Sequence, residues 1–243
     1  MEEQATPHPF SGFVRAVARG ETLSQPLTEA EAETAMAQIL GGEAEPVQIG
    51  AFLAVLRYRK ETAGELAGFV SATRKRLRFG DGIAVDLDWP SYADRHKQLP
   101  YFLLAALVLA RNGMRIAMHG IDGSGPVTTP AVLDALGIPS ATTPEEVATA
   151  LDRDGLAYVP ISALCPPLAE IFALRSLLGV RSAVNSFARA LNPFDAPAQV
   201  LGIFHPTYAP THAELAARLR QGRAVIFKGG GGEAQRNPEK ACR

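Results

Sequence analysis

The chain has 243 residues, 47% apolar and 20% charged, with a formal net charge of −1. That length buries a real core as one large domain, or one domain plus a small one, and the composition is ordinary for a soluble globular protein. The near-zero charge excludes a global field for nucleic acid or anionic membrane, no apolar run spans a bilayer, and two distant cysteines, Cys165 and Cys242, exclude a disulfide framework.

A reducing cytoplasmic setting is therefore expected, and the opening MEEQATPHPF has no apolar stretch that would read as a secretory signal. Pro9 opens a first helix, with Phe10, Phe13, Val14 and Val17 on one face and Gly20 after it. Thr28 and Glu31 form a capping box for a second helix, which stops at Gly41-Gly42. Pro46 opens a third, striped by Ile49, Phe52, Leu53 and Leu56. Thr62 and Glu65 cap a fourth, whose buried face is Leu66, Phe69, Val70 and Leu77. Short loops between amphipathic helices predict a helical domain over residues 1–79, with apolar surface left over for a dimer contact.

From Gly80 the period changes. Ile83, Val85 and Leu87 alternate like a strand, and residues 99–109 read as a helix buried on all sides. Short strands at 115–118 and 156–160 flank helices opened by Thr129-Pro130 and Thr143-Pro144. Ile171, Leu174, Leu177 and Leu178 make one face of a helix closed by Gly179, with Arg175 and Arg181 flanking the closure. A strand over 200–204, a helix capped by Thr211 and Glu214, and a strand over 224–227 follow. Strands alternating with helices predict an α/β domain over residues 80–243 with a mainly parallel sheet flanked by helices. Segment 162–192 is expected to pack back on the helical domain. Such sheets take ligands at the carboxyl ends of their strands.

The spacing of Arg175, Leu178-Gly179, Arg181, Asn185, Asn192-Pro193, Gln199 and Gly202 resembles the anthranilate phosphoribosyltransferase family, also called glycosyltransferase family 3. The closer resemblance is to its YbiB-type branch. It implies a helical domain that dimerises, and an α/β domain that continues for several strands and helices beyond residue 243, so the chain reads as shortened. The enzymes of the family hold phosphoribosyl pyrophosphate with magnesium, using a GTGGD loop after the first strand. Here the loop over residues 86–97 contains Pro90 and no glycine. Where the enzymes carry KHGN, only His119 and Gly120 remain, and the metal-binding Asp-Glu pair is Gly232-Glu233. Glu233 is thus a weak metal candidate. Cys165-Pro166-Pro167 stands where the enzymes have His-Pro.

These departures point to a scaffold without the standard diphosphate loop, with no cofactor and no catalytic residues assigned. Arg95, Lys97, His119, Arg175, Arg181, Arg189 and Lys228 are the candidate nucleic-acid or phosphate contacts, with Trp89 and Tyr92 as stacking rings. The resemblance to the YbiB-type branch implies a sequence-independent partner, single-stranded DNA or RNA. The same residues also read blandly: Arg175 as a helix-dipole partner, His119 as a packed turn residue, the glycine run as a loop, Trp89 and Tyr92 as core. The alternative is an active glycosyl or phosphoribosyl transferase on an aromatic or nucleobase-like acceptor, with magnesium and phosphoribosyl pyrophosphate as its donor system.

Overall fold

The computed structural model describes residues 6–20, 22–93, 99–123 and 125–235. Four helices open the chain: α1 (Ser11–Ala18), α2 (Glu29–Leu40), α3 (Pro46–Arg59) and α4 (Ala63–Arg74). Both capping boxes form. Thr28 Oγ1 accepts the Glu31 N–H at 3.2 Å while the Glu31 carboxylate accepts the Thr28 N–H at 2.8 Å, and Thr62 and Glu65 repeat the exchange. Phe10, Phe52 and Phe69 meet edge to face in the core of this bundle.

The rest of the chain forms β1 (Leu87–Ser91), α5 (Phe102–Arg111), β2 (Ile116–Gly120), α6 (Thr129–Ala135), α7 (Pro144–Asp154) and β3 (Leu156–Pro160). Then come α8 (Ile161–Leu164), α9 (Pro166–Ala173), α10 (Arg175–Leu178), α11 (Val184–Phe187), β4 (Ala198–Ile203), α12 (Ala209–Arg218) and β5 (Arg223–Lys228). The five strands form one parallel sheet in the order β3-β2-β1-β4-β5. The chain enters at the middle strand and extends both ways, so the topological switch point lies between β1 and β4. The β1–β4 ladder stops at Asp88 and Gln199, before Pro90, which has no N–H to give.

One sheet face packs on α5 and α6 through Trp89, Ile116, Met118, Leu156 and Tyr158. The other face joins the helical domain in one core. Segment 162–192 lies in that joint. Phe187 packs on Phe69 at 5.6 Å, the Arg78 N–H donates to Leu164, and Arg74 Nε donates to the Leu191 carbonyl at 2.7 Å. Arg74 is therefore a tie between segments and not a solvated helix-end charge.

Some elements differ from expectation. The first strand is 87–91, not 83–87, because β2 pairs with β1 from Leu87 to Ser91. Helix α5 buries one face only. Leu104 and Val108 are 61% and 60% exposed, since α5 covers the sheet from one side. The single helix expected over 168–178 is divided at Leu174 into α9 and α10, and Leu177, expected on the buried face, is 82% exposed. Thr211 caps nothing. A turn over Pro206–Tyr208 leads into α12 three residues earlier, and Glu214 pairs with Arg218 instead. Among the described residues no helix is long and apolar enough to cross a membrane.

Candidate functional site

Strand β4 ends at Ile203, next to the switch point, and the chain then turns through Phe204-His205 into α12. Opposite this turn stand α3 of the helical domain and the segment from α10 to residue 189. Between them opens a cleft of about 360 Å³. Arg57, Arg175, Arg181, Arg189, His205 and His212 line it, and no carboxylate is among its described lining residues. Arg57 Nη1 donates to Tyr208 Oη at 3.1 Å, bridging the two domains. Arg181 Nη2 donates to the Ala93 carbonyl at 2.6 Å, which aims it across the end of β1. Phe204 is 39% exposed, and its ring meets the exposed His205 edge to face at 4.6 Å. His212 Nδ1–H donates to the Tyr208 carbonyl at 3.0 Å, and burial holds this imidazole below its ordinary pKa.

Arg189 is buried. Its Nε donates to the Asn185 carbonyl at 2.9 Å, and its Nη1 to the carbonyls of Gly202 and Gly232. Its guanidinium is committed to holding backbone, with an edge in the cleft wall. His119 is fully buried, accepts the Tyr92 hydroxyl on Nδ1 at 2.7 Å and lies 3.1 Å from Asp88 through Nε2. Asp88 in turn accepts Gln199 Nε2 at 2.6 Å. This network knits β1, β2 and β4 together, so the structure assigns His119 to packing and not to ligand contact.

The expected stacking rings need correcting. Trp89 is 5% exposed and stacks on Phe102, and Tyr92 is 1% exposed and stacks on Phe172 at 5.3 Å. The sheet is covered on both faces at β1, so neither ring presents a face to a base. Lys228 ends β5 opposite Ile203, exposed and outside the cleft lining. Arg95 and Lys97 lie outside the described residues. Arg175, Arg181 and the buried Arg189 are the predicted contacts that the structure brings together in the cleft lining. Reading the sequence missed Arg57, Phe204, His205, Tyr208 and His212. The cluster of rings just past β4 was the available signal, since ligands favour strand carboxyl ends.

Glu233 also reaches the end of β1. Its Oε1 accepts the Ala93 N–H at 2.7 Å. Burial raises its carboxyl, and the Arg189 guanidinium and the Ala93 N–H pull it back. Only one oxygen is so engaged, Oε2 having no hydrogen-bond partner among the described residues, and a single carboxylate with glycine as its neighbour makes a poor magnesium site. Among the described residues no group of three or more His, Cys, Asp or Glu side chains could hold a metal ion. Cys165 is buried with its thiol pKa raised by burial, so it is not an activated nucleophile.

Residues 11–77 match the helical bundle domain of a glycosyl transferase family, and residues 100–241 match that family's a/b domain. The chain belongs to glycosyltransferase family 3. It is 32% identical over 224 residues to the anthranilate phosphoribosyltransferase of Symbiobacterium thermophilum, covering 90% of this chain and 64% of that protein. It is 27% identical over 238 residues to YbiB of Escherichia coli, covering 95% of this chain and 74% of that protein. The solved anthranilate phosphoribosyltransferase of Thermus thermophilus superposes with a TM-score of 0.75 at 29% identity, over 92% of this chain and 67% of that one. The chain thus spans less than two thirds of the anthranilate phosphoribosyltransferase from Symbiobacterium thermophilum.

Proposed function

We propose that this family member binds single-stranded nucleic acid without sequence preference, in the cleft between its two domains. One observation carries the reading: four arginines and two histidines line a cleft with no carboxylate among its described lining residues, Arg189 and His212 from buried positions in its wall. Exposed Phe204 and His205 at the same cleft supply rings for bases, and guanidinium groups neutralise phosphates. The chain is neutral overall, so attraction depends on this local cluster. The reading includes a homodimer through the helical domain, supported by Val47 and Tyr58 on α3, 78% and 88% exposed.

A second reading, a transferase acting on an aromatic or nucleobase-like acceptor, is favoured by the identity to anthranilate phosphoribosyltransferases. One preparation separates the two. Fluorescence anisotropy with a labelled oligothymidylate should show binding that falls steeply with salt. Anthranilate turnover with phosphoribosyl pyrophosphate and magnesium should be absent. Turnover without oligonucleotide binding would reverse the order.

A further inference from the structure

We infer that the anion seat at the carboxyl end of β1 is self-liganded: the chain's own Glu233 and Gln235 occupy two backbone donors of the kind that hold a diphosphate. The Ala93 N–H is the donor just past β1, next to the switch point, where a parallel α/β sheet takes its ligands. Glu233 Oε1 holds it at 2.7 Å. The Phe102 N–H is an orphan donor of the first turn of α5, the kind that binds phosphate at helix N-termini. Gln235 Oε1 accepts it at 3.2 Å. One turn, residues 229–235, therefore fills both donors.

That turn is fitted to its place. Gly231 and Gly232 have φ of 75° and 96°, which side-chain-bearing residues rarely adopt. A Cβ on Gly202 of β4 would collide with the Glu233 backbone. Arg189 Nη1 ties the turn from beneath through the Gly232 carbonyl at 2.6 Å. The space left beside Ser91, Thr129 and Glu233 is about 40 Å³, room for a few waters. At these two donors a diphosphate would have to displace the Glu233 carboxylate and the Gln235 amide, so Glu233 is held as an internal ligand and not as a metal ligand.

The test is calorimetric titration of inorganic pyrophosphate, with and without magnesium, into the full chain and its Glu233→Ala and Glu233→Gln variants. Amide exchange at Ala93 is followed by NMR in each. The parent should bind pyrophosphate weakly or not at all, and its Ala93 amide should be protected. Glu233→Ala should bind roughly ten- to a hundredfold tighter, the worth of one freed hydrogen bond to a charged group, without needing magnesium. Glu233→Gln, which keeps an acceptor for Ala93 but loses the charge, should fall between. Oligonucleotide binding should persist in both, since neither variant removes a cleft residue, which separates this inference from the cleft reading. Magnesium-dependent pyrophosphate binding by the parent that Glu233→Ala abolishes would overturn it. So would a folded Glu233→Ala that gains nothing, or an unprotected Ala93 amide in the parent.

Discussion

Arg57 Nη1 donates to Tyr208 Oη at 3.1 Å, joining the helical domain to the turn after β4. Both residues line the cleft, so the bond sets the spacing of its two walls. Tyr208→Phe should cost about 0.5–1.5 kcal/mol, read as a shift in urea midpoint at constant slope. Arg57→Ala should cost a similar amount but weaken oligonucleotide binding more, because it also removes a charge. Equal affinity losses in the two variants would mean that the bridge matters to binding and the charge does not.

Gly68 sits where α4 crosses α2. A Cβ there would lie 2.7 Å from the Glu33 nitrogen and 2.8 Å from the Ala32 Cβ. Both helices are anchored by capping boxes, so neither slides away easily. Gly68→Ala should destabilise by about 1–3 kcal/mol despite the better helix propensity of alanine. A denaturation curve matching the parent would show that the crossing can open.

Glu61 is 6% exposed, and neither carboxylate oxygen has a hydrogen-bond partner among the described residues. Burial raises its pKa, opposed first by its own backbone N–H and then by the charges of Arg57 and Arg59, while the neighbouring Glu65 adds to the rise. A folded pKa above the unfolded value means that the folded state holds this proton more tightly. The group's contribution is therefore most favourable below the ordinary value of 4.5 and is lost as pH rises through the raised folded pKa. Glu61→Gln should raise the melting temperature near neutral pH and leave it close to the parent's in acid. A uniform shift at all pH values would rule out titration of Glu61 as the cause.

The helical domain is legible in the sequence because its signals are local. Thr28 with Glu31 and Thr62 with Glu65 each satisfy donors within one turn, and no distant partner can override that. Strand β1 is harder to place because Pro90 argues against a central strand. It sits there only because the β4 ladder has already ended at Asp88, a tertiary fact. The site divides the same way. Arg175 and Arg181 are visible in one motif, whereas Arg57 and Tyr208 meet across 151 residues of sequence. Trp89 and Tyr92 look available for stacking because their segment reads as a loop at a rim, and burial on both sheet faces is not visible from that segment alone.

The homodimer reading makes its own prediction. Phe52 is fully buried on the inner face of α3, so a charge there would test folding and not assembly. Val47, Ala51, Ala54 and Tyr58 are exposed on α3 at the spacing of one outer face, which makes that face the place to probe. Val47→Glu and Tyr58→Glu should each give a monomer by analytical ultracentrifugation, with an unchanged circular dichroism spectrum. A dimer of unchanged size in both would move the contact elsewhere.

The cleft reading is tested by salt. Each phosphate neutralised on a single strand contributes about −0.7 to the slope of log affinity against log salt. Arg175 and Arg181 both line the cleft, so changing both to alanine should reduce the slope by roughly 1.4 if each meets one phosphate. The reduction should be the same for oligothymidylate and for mixed sequences, since phosphate contacts position a strand without reading it. Phe204→Ala should instead weaken binding by about 1–3 kcal/mol at every salt concentration, because stacking releases no counterions. His205 packs against the Phe204 ring, so its removal should weaken binding with the same flat salt dependence. If the double arginine variant keeps the parent's slope, the two guanidinium groups serve the fold and not a phosphate chain, and the transferase reading moves to first place.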